Sequence, residues 1–144
     1  MTIHPAEKTD LAVVRQLLEA EHLPLDDLET HLATMIVAKR DGEVVGASAV
    51  ELYADGALLR SVVVSPLAQG QGLGHLLTEA ALNVAKSHGI ETAFLLTTTA
   101  ERFFPRLGFE PISRQDVPES VQASVEFRSA CPASATVMRR RLTA

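Results

Sequence analysis

The stretch Gln69-Gly70-Gln71-Gly72-Leu73-Gly74 decides how this chain folds, because an apolar strand runs into it and a long amphipathic helix leaves it. Upstream, Leu58-Leu59-Arg60-Ser61-Val62-Val63-Val64 ends in β-branched residues that suit a pleated strand. Downstream, apolar residues recur at Leu73, Leu76, Leu77, Ala80, Ala81, Val84 and Ala85, which is helical periodicity. Glycines in a strand-to-helix turn let successive amides approach an anion, and the unpaired N–H groups and dipole of the helix start attract negative charge. The loop is therefore either a seat for a phosphate or pyrophosphate, or simply a tight packing turn. The dinucleotide fingerprint, begun at Gly70, requires glycine where His75 stands, and the Gly-Lys-Ser/Thr of a Walker A loop is absent.

What remains is Gln69-x-x-Gly72-x-Gly74, which resembles the Gln/Arg-x-x-Gly-x-Gly/Ala pyrophosphate loop of the GNAT family of N-acetyltransferases. A second segment, Ala100-Glu101-Arg102-Phe103-Phe104-Pro105-Arg106-Leu107-Gly108-Phe109, resembles the Ala-x-x-Phe-Tyr-x-x-x-Gly-Phe motif that follows the fifth strand in that family. The resemblance covers about residues 3 to 142. It implies an α/β domain over residues 1–144 with the GNAT fold, a mixed central sheet of about six to seven strands with helices on both faces. It also implies acetyl-CoA as co-substrate. Residues Gln69, Gly70, Gln71, Gly72, Leu73 and Gly74 would hold its pyrophosphate, the main chain of Val62, Val63 and Val64 its pantetheine arm, and Phe103 and Phe104 would lie against it.

Composition sets the outer limits. The 144 residues are enough for one domain with a substantial core, 47% are hydrophobic and 22% charged. The net charge of −5 and the lack of basic clusters argue against a nucleic-acid partner; Arg139-Arg140-Arg141 reads as a solvated strand end. No apolar run approaches a membrane span and the first residues lack a basic-then-apolar signal pattern, so a cytoplasmic protein is expected. The single cysteine, Cys131, fits a reducing compartment, and the five histidines at 4, 22, 31, 75 and 88 show no metal-ligand pairing.

Along the chain, Thr2 to Ala6 reads as an edge strand, and Thr9-Asp10 caps a helix to about Glu21 with an apolar face of Leu11, Val14, Leu17 and Leu18. A second, shorter helix is expected from Leu25, with Asp26, Asp27 and Glu29 on a solvated face near its positive end. Strands at 35–38 and 43–52 flank Asp41-Gly42, a hairpin signal, and a turn at Ala54-Asp55-Gly56 leads into the strand ending at Val64. The long helix stops at His88-Gly89. The next strand, Thr92 to Thr97, should run parallel to 57–64 because a helix connects them. A short helix over Ala100–Leu107, a strand from Phe109, a helical segment opening at Pro118 and a final strand over Ala135–Leu142 complete the order.

A narrower resemblance follows from Leu96-Thr97-Thr98-Thr99, Phe103-Phe104, Gly108-Phe109 and Val117-Pro118-Glu119-Ser120, which are similar to a Leu-Thr-Thr, Trp-Phe, Gly-Phe, Leu-Pro-Glu series in the acetyltransferase domain of N-acetylglutamate synthases. Their Gln-Arg-x-Ser-Lys tail, which contributes to glutamate recognition, matches Cys131-Pro132-Ala133-Ser134-Ala135, where Ser134 is kept but the basic residues are lost. The stretch from Phe127 to Ala135 also resembles small acetyltransferases associated with arsenic-resistance operons.

Acetyl transfer to an amine needs a neutral nucleophile, a polarised thioester carbonyl and a proton for the departing thiolate. The tyrosine that gives this proton in most of the family is Phe104 here, which cannot donate. The synthase-like alternative, a fifth-strand hydroxyl, corresponds to Thr97, whose other reading is a plain strand residue. The family's glutamate base corresponds to Leu58, which leaves Glu51 on the neighbouring strand as a relay through water, or as an outward strand carboxylate. Arg60 shares a strand face with Leu58, so it either grips a substrate carboxylate in a bidentate fork or forms a surface ion pair. A site with a weak base favours small α-amines. At pH 7 a lysine amine costs roughly 4.6 kcal/mol to deprotonate and an α-amine near pKa 8 roughly 1.4 kcal/mol. Cys131 is a packing residue or a thiol for trivalent arsenic, and Tyr53 a turn residue or a site hydroxyl.

The expected activity is acetyl-CoA-dependent N-acetylation of a small amino-acid-like amine, with a link to arsenic resistance and a homodimer as further expectations. The competing readings are a catalytically inert acetyl-CoA-binding regulatory module and a protein acetyltransferase.

Overall fold

The computed structural model describes residues 1–124, 127 and 135–142. Seven strands form one sheet: β1 (Thr2–Pro5), β2 (Met35–Arg40), β3 (Glu43–Tyr53), β4 (Gly56–Val64), β5 (Thr92–Thr97), β6 (Glu110–Ile112) and β7 (Thr136–Arg141). Their spatial order is β1-β2-β3-β4-β5-β7-β6. All pairs are antiparallel except β4 with β5, as the helical crossover between them requires. At the β2–β3 hairpin, Asp41 and Gly42 take φ of 53° and 80°, the left-handed pair of a two-residue turn.

The crossover is α2 (Leu73–Ser87), which packs on one face of the sheet. Its Ala81, Leu82 and Ala85 are buried with Val50, Ala57, Leu59 and Leu95, and its Leu73 and Leu77 with Ile36, Ala38 and Val45. Ser48 fastens the two layers by donating to the Leu77 carbonyl at 2.8 Å. The other face is covered by α1 (Leu11–Ala20), with Val14 and Leu18 fully buried against Met35, Val37 and Ala49, and by the single turn α3 (Glu119–Gln122), whose Val121 meets Leu58, Phe94 and Val137. The mixed sheet with helices on both faces is the expected one.

Several local expectations are corrected. The segment after Leu25 is no α-helix but a turn followed by a 3₁₀ stretch, Glu29–Thr34, because Asp27 adopts φ 59° and breaks helical continuation. Ala100–Leu107 likewise contains one 3₁₀ turn, Phe104–Leu107, with Pro105 in its first turn, where its missing N–H costs nothing. Leu76 does not face the core but is 52% exposed, and Leu82 occupies the buried stripe instead. Asp10 is buried but makes no side-chain bond into α1; its Oδ2 accepts the Glu7 N–H at 2.8 Å and its Oδ1 pairs with Lys39 at 3.1 Å. The arginine run at 139–141 is not simply solvated: Arg140 holds Glu79 of α2 through both Nη atoms and Arg139 pairs with Glu110.

Candidate active site

The parallel pairing of β4 with β5 registers at only two positions, Ala57 with Ala93 and Leu58 with Phe94. Beyond them the strands part, and the gap is a cavity of about 830 Å³ lined by Leu59 to Val64 on one side and Leu95 to Ala100 on the other. Part of the cause lies in β4. Ala47 pairs with Val63 and Ala49 with Arg60, so Ser61 and Val62 together oppose Ser48. This is a β-bulge, and Ser61 enters it at φ 58°. A bulge bends its strand and increases the local twist, turning the end of β4 away from β5.

At one end of the gap stands the glycine loop. Gly70 and Gly72 have φ of 81° and 76°, a conformation that costs other side chains but not glycine, and Gly72 is the residue from which α2 starts. The loop is tied to β4 by Gln69 Nε2, which donates to the Val64 carbonyl at 3.1 Å. A Cβ on Gly74 would stand 3.1 Å from Phe103 Cζ, so the absence of a side chain lets that ring close over the helix start. Phe103, Phe104 and Phe109 stack edge to face in sequence, with centroids 5.0 and 5.7 Å apart. The two motifs, thirty residues apart in sequence, are thus one wall of the cavity. All six loop residues but Gln71, together with Val62, Val63, Val64, Phe103 and Phe104, line it.

Further along the gap Thr97 is buried and lines the cavity. Its Oγ1 accepts the amides of Ala100 at 2.9 Å and Thr99 at 3.3 Å. A hydroxyl so fixed has both acceptor positions filled and its one hydrogen left to donate.

Opposite, Arg60 reaches the cavity from the sheet face it shares with Leu58, Ala49, Glu51 and Tyr53, and it is 4% exposed. Its Nη1 donates to Glu51 Oε2 at 2.7 Å, its Nη2 to the Asp26 carbonyl at 2.6 Å and its Nε to Ser61 Oγ at 3.2 Å. The pair with Glu51 is therefore internal, neither a surface bridge nor an outward carboxylate. Glu51 is also approached by His31 Nε2 at 3.4 Å and receives the Tyr53 hydroxyl on Oε1. Burial, followed by Glu51, drives the Tyr53 phenol far above its ordinary range, so it stays a donor. Burial also lowers the His31 pKa against the pull of Glu51. Three of the five Arg60 N–H groups are used, and one on each Nη remains for a ligand.

Two contributors have no counterpart in the sequence reading. His31 comes to Glu51 from a segment without a motif, and Glu21, His22, Leu23 and Pro24, the bend after α1, close the cavity beside Arg60. The Glu51–Arg60 meeting could have been read from the hairpin: a two-residue turn pairs Tyr53 with Gly56 and hence Glu51 with Leu58. Leu58 itself is wholly buried among Phe94, Val117, Val121 and Val137. Ser134 and Cys131 lie outside the described residues. Among the described residues no group of histidines, cysteines and carboxylates is arranged to hold a metal, and no helix is long and apolar enough to cross a membrane.

A parted parallel strand pair with a glycine-rich helix start at the mouth of the gap defines an acyl-CoA-type cleft. Residues 31–111 match the family described as "Acetyltransferase (GNAT) domain", and the chain belongs to that family. It is 30% identical to an amino-acid acetyltransferase of Mycobacterium tuberculosis over 83% of this chain and 74% of that protein. An amino-acid acetyltransferase of Neisseria meningitidis is also 30% identical, over 76% of this chain, but the chain spans only about 26% of that relative's length. The fold superposes on N-acetylglutamate synthase from Neisseria gonorrhoeae, complexed with coenzyme A and N-acetyl-glutamate, with TM-score 0.86 and 26% identity; 99% of this chain and 35% of that one are covered. A Mycobacterium tuberculosis protein solved with CoA gives TM-score 0.84 and 25% identity, covering 99% of this chain and 100% of that one.

Proposed function

We propose that this protein is an acetyl-CoA-dependent N-acetyltransferase acting on the α-amine of a small amino-acid-like substrate. The observation that carries the reading is the convergence on one cavity of the Gly70–Gly74 helix start, the unpaired edge of β4 at Val62–Val64 and the Arg60 guanidinium. The cavity suits acetyl-CoA: left-handed glycines leave the amides at the start of α2 open to a pyrophosphate, and the β4 edge offers main-chain groups to an amide-bearing arm. Relatives solved with CoA support the same assignment.

In this reading the two spare N–H groups of Arg60 orient the substrate carboxylate, and the Glu51 pair keeps the guanidinium from turning away. Ser134 is a further substrate contact on the strength of the family resemblance. The neutral amine attacks the thioester carbonyl, the C–S bond breaks, and the Thr97 hydroxyl passes its hydrogen to the departing thiolate while taking one from solvent water, to which the proton shed by the amine is finally returned, so that no alkoxide remains. The amine proton passes through water to Glu51, because Arg60 stands between that carboxylate and the cavity. The role in arsenic resistance, a cytoplasmic setting and a homodimer belong to the same proposal; the first rests on the resemblance of residues 127–135 alone.

A screen of free amino acids and their arsenic and phosphorus analogues for acetyl-CoA-dependent thiol release tests the activity. Turnover on at least one α-amino acid, reduced in Arg60→Lys mainly through KM, is expected, and no turnover on any amine overturns it. The inert-module reading has its own support, since Phe104 and Leu58 occupy the family's acid and base positions and are both buried in apolar clusters. It predicts acetyl-CoA binding by calorimetry without thiol release.

A further inference from the structure

Beside the main cleft lies a second concavity, of about 390 Å³, formed by the segment from Thr99 to Arg106. The two share Thr99, Ala100, Phe103 and Arg106 as a common wall, so the smaller groove opens directly off the cofactor cleft at the end where Phe103 closes over Gly74. Two arginines line it, Arg102 and Arg106, which flank Phe103–Phe104–Pro105 in sequence. Two arginines of the last strand, by contrast, are engaged with carboxylates: Arg139 with Glu110 and Arg140 with Glu79. Arg102 and Arg106 are exposed, and neither pairs with a carboxylate among the described residues. Glu101 lines the groove as well, so the groove carries a net charge of about one positive unit. In a chain of net charge −5, two exposed arginines without a carboxylate partner among the described residues make the rim beside the glycine loop locally positive.

Coenzyme A carries three phosphates. The proposed cofactor reading seats the pyrophosphate on the amides at the start of α2, which leaves the phosphate on the ribose 3′ position without a partner. We infer that Arg102 and Arg106 form the seat of that 3′-phosphate, so that the groove discriminates coenzyme A from its 3′-dephospho form. The inference rests on acetyl-CoA being the ligand of the main cleft. The chemistry suits the residues: guanidinium forks bind phosphate oxygens bidentately, and exposed side chains can turn toward a phosphate without rearranging the buried core. The contact is exposed, so it weakens as ionic strength rises.

The test measures dissociation constants for acetyl-CoA and acetyl-3′-dephospho-CoA by calorimetry, on the wild-type chain and on Arg102→Ala, Arg106→Ala and the double variant. Both side chains are exposed, so the variants keep the fold, which circular dichroism verifies. The wild type is expected to prefer acetyl-CoA about tenfold or more, the scale of charge-assisted hydrogen bonds. The double variant should lose that preference, with dephospho-CoA affinity changed less than about twofold, inside a factor of ten by any reckoning of a lost bond. Equal wild-type affinity for the two cofactors overturns the inference. Equal losses for both in Arg106→Ala also overturn it, since that side chain would then be on the pyrophosphate. Failure of either cofactor to bind the wild type would instead refute the reading of the main cleft.

Discussion

Arg60 is the residue on which most of the site depends. Its guanidinium is enclosed with the Glu51 carboxylate, each side chain 2% exposed, and the pair is held further by Tyr53, the Asp26 carbonyl and Ser61. A buried pair contributes little net stability when it is intact, but removing one member strands the other. Glu51→Ala is therefore expected to lower the unfolding free energy by about 3–5 kcal/mol, read from urea unfolding, whereas Glu51→Ala with Arg60→Met should recover much of it. A single variant as stable as the wild type would show the pair to be solvated. Asp10 gives a pH signature. Burial raises its pKa, but the Glu7 amide and Lys39 outweigh that and hold it below the ordinary 3.8. A carboxylate depressed in the folded state stabilises it above the unfolded pKa, and that contribution is lost as pH falls through the folded value. The acid limb of a stability profile below pH 3.8 should accordingly flatten in Asp10→Asn. An unchanged limb would mean that Asp10 is not coupled to folding.

At the scale of elements, the glycine loop and α2 were legible because their signals are local: positive-φ glycines, a helical apolar period and a helix-ending Gly89. The same holds for the Asp41-Gly42 hairpin and for β5, which matches its expected bounds. The segment from Leu25 and the segment Ala100–Leu107 differ from the helices their sequences suggest for a physical reason. Their polar and apolar residues suit a helix, but Asp27 at positive φ and the pull of Phe103 and Phe104 into the cleft wall impose shorter turns. Leu76 belongs to the apolar period but is exposed, since the periodic stripe is broader than the face α2 presents to the sheet. Gly74 joins two elements, and its replacement separates binding from folding. A Cβ there meets Phe103 at 3.1 Å, so Gly74→Ala should weaken acetyl-CoA binding several-fold by calorimetry. Its melting temperature should stay unchanged or rise, because alanine favours the helix. Unaltered affinity would show that the ring yields freely.

For the whole molecule the decisive feature is a sheet that is not closed along its middle. β4 and β5 are paired at one end and parted at the other, and the cavity between them lies in the centre of the fold. A ligand that spans it ties the two halves of the sheet together. Saturating acetyl-CoA should raise stability by about 2.7 kcal/mol at a hundredfold excess over Kd, with hydrogen-exchange protection concentrated at Val62–Val64 and Gly72–Gly74. Protection spread evenly over the chain, or no shift in melting temperature, would place the ligand elsewhere. Sequence by itself determined the order of strands, the parallel crossover and the glycine-rich turn at the start of α2, because each rests on periodicity, turn chemistry or backbone freedom within a few residues. Only the tertiary structure decided that the Arg60–Glu51 pair is buried, that His31 joins it, and that Arg102 and Arg106 line a groove beside the cleft without a carboxylate partner among the described residues. Those outcomes depend on which layers cover the pair and on which carboxylates the packed elements bring within reach, and contacts between distant segments leave no periodic trace in the chain.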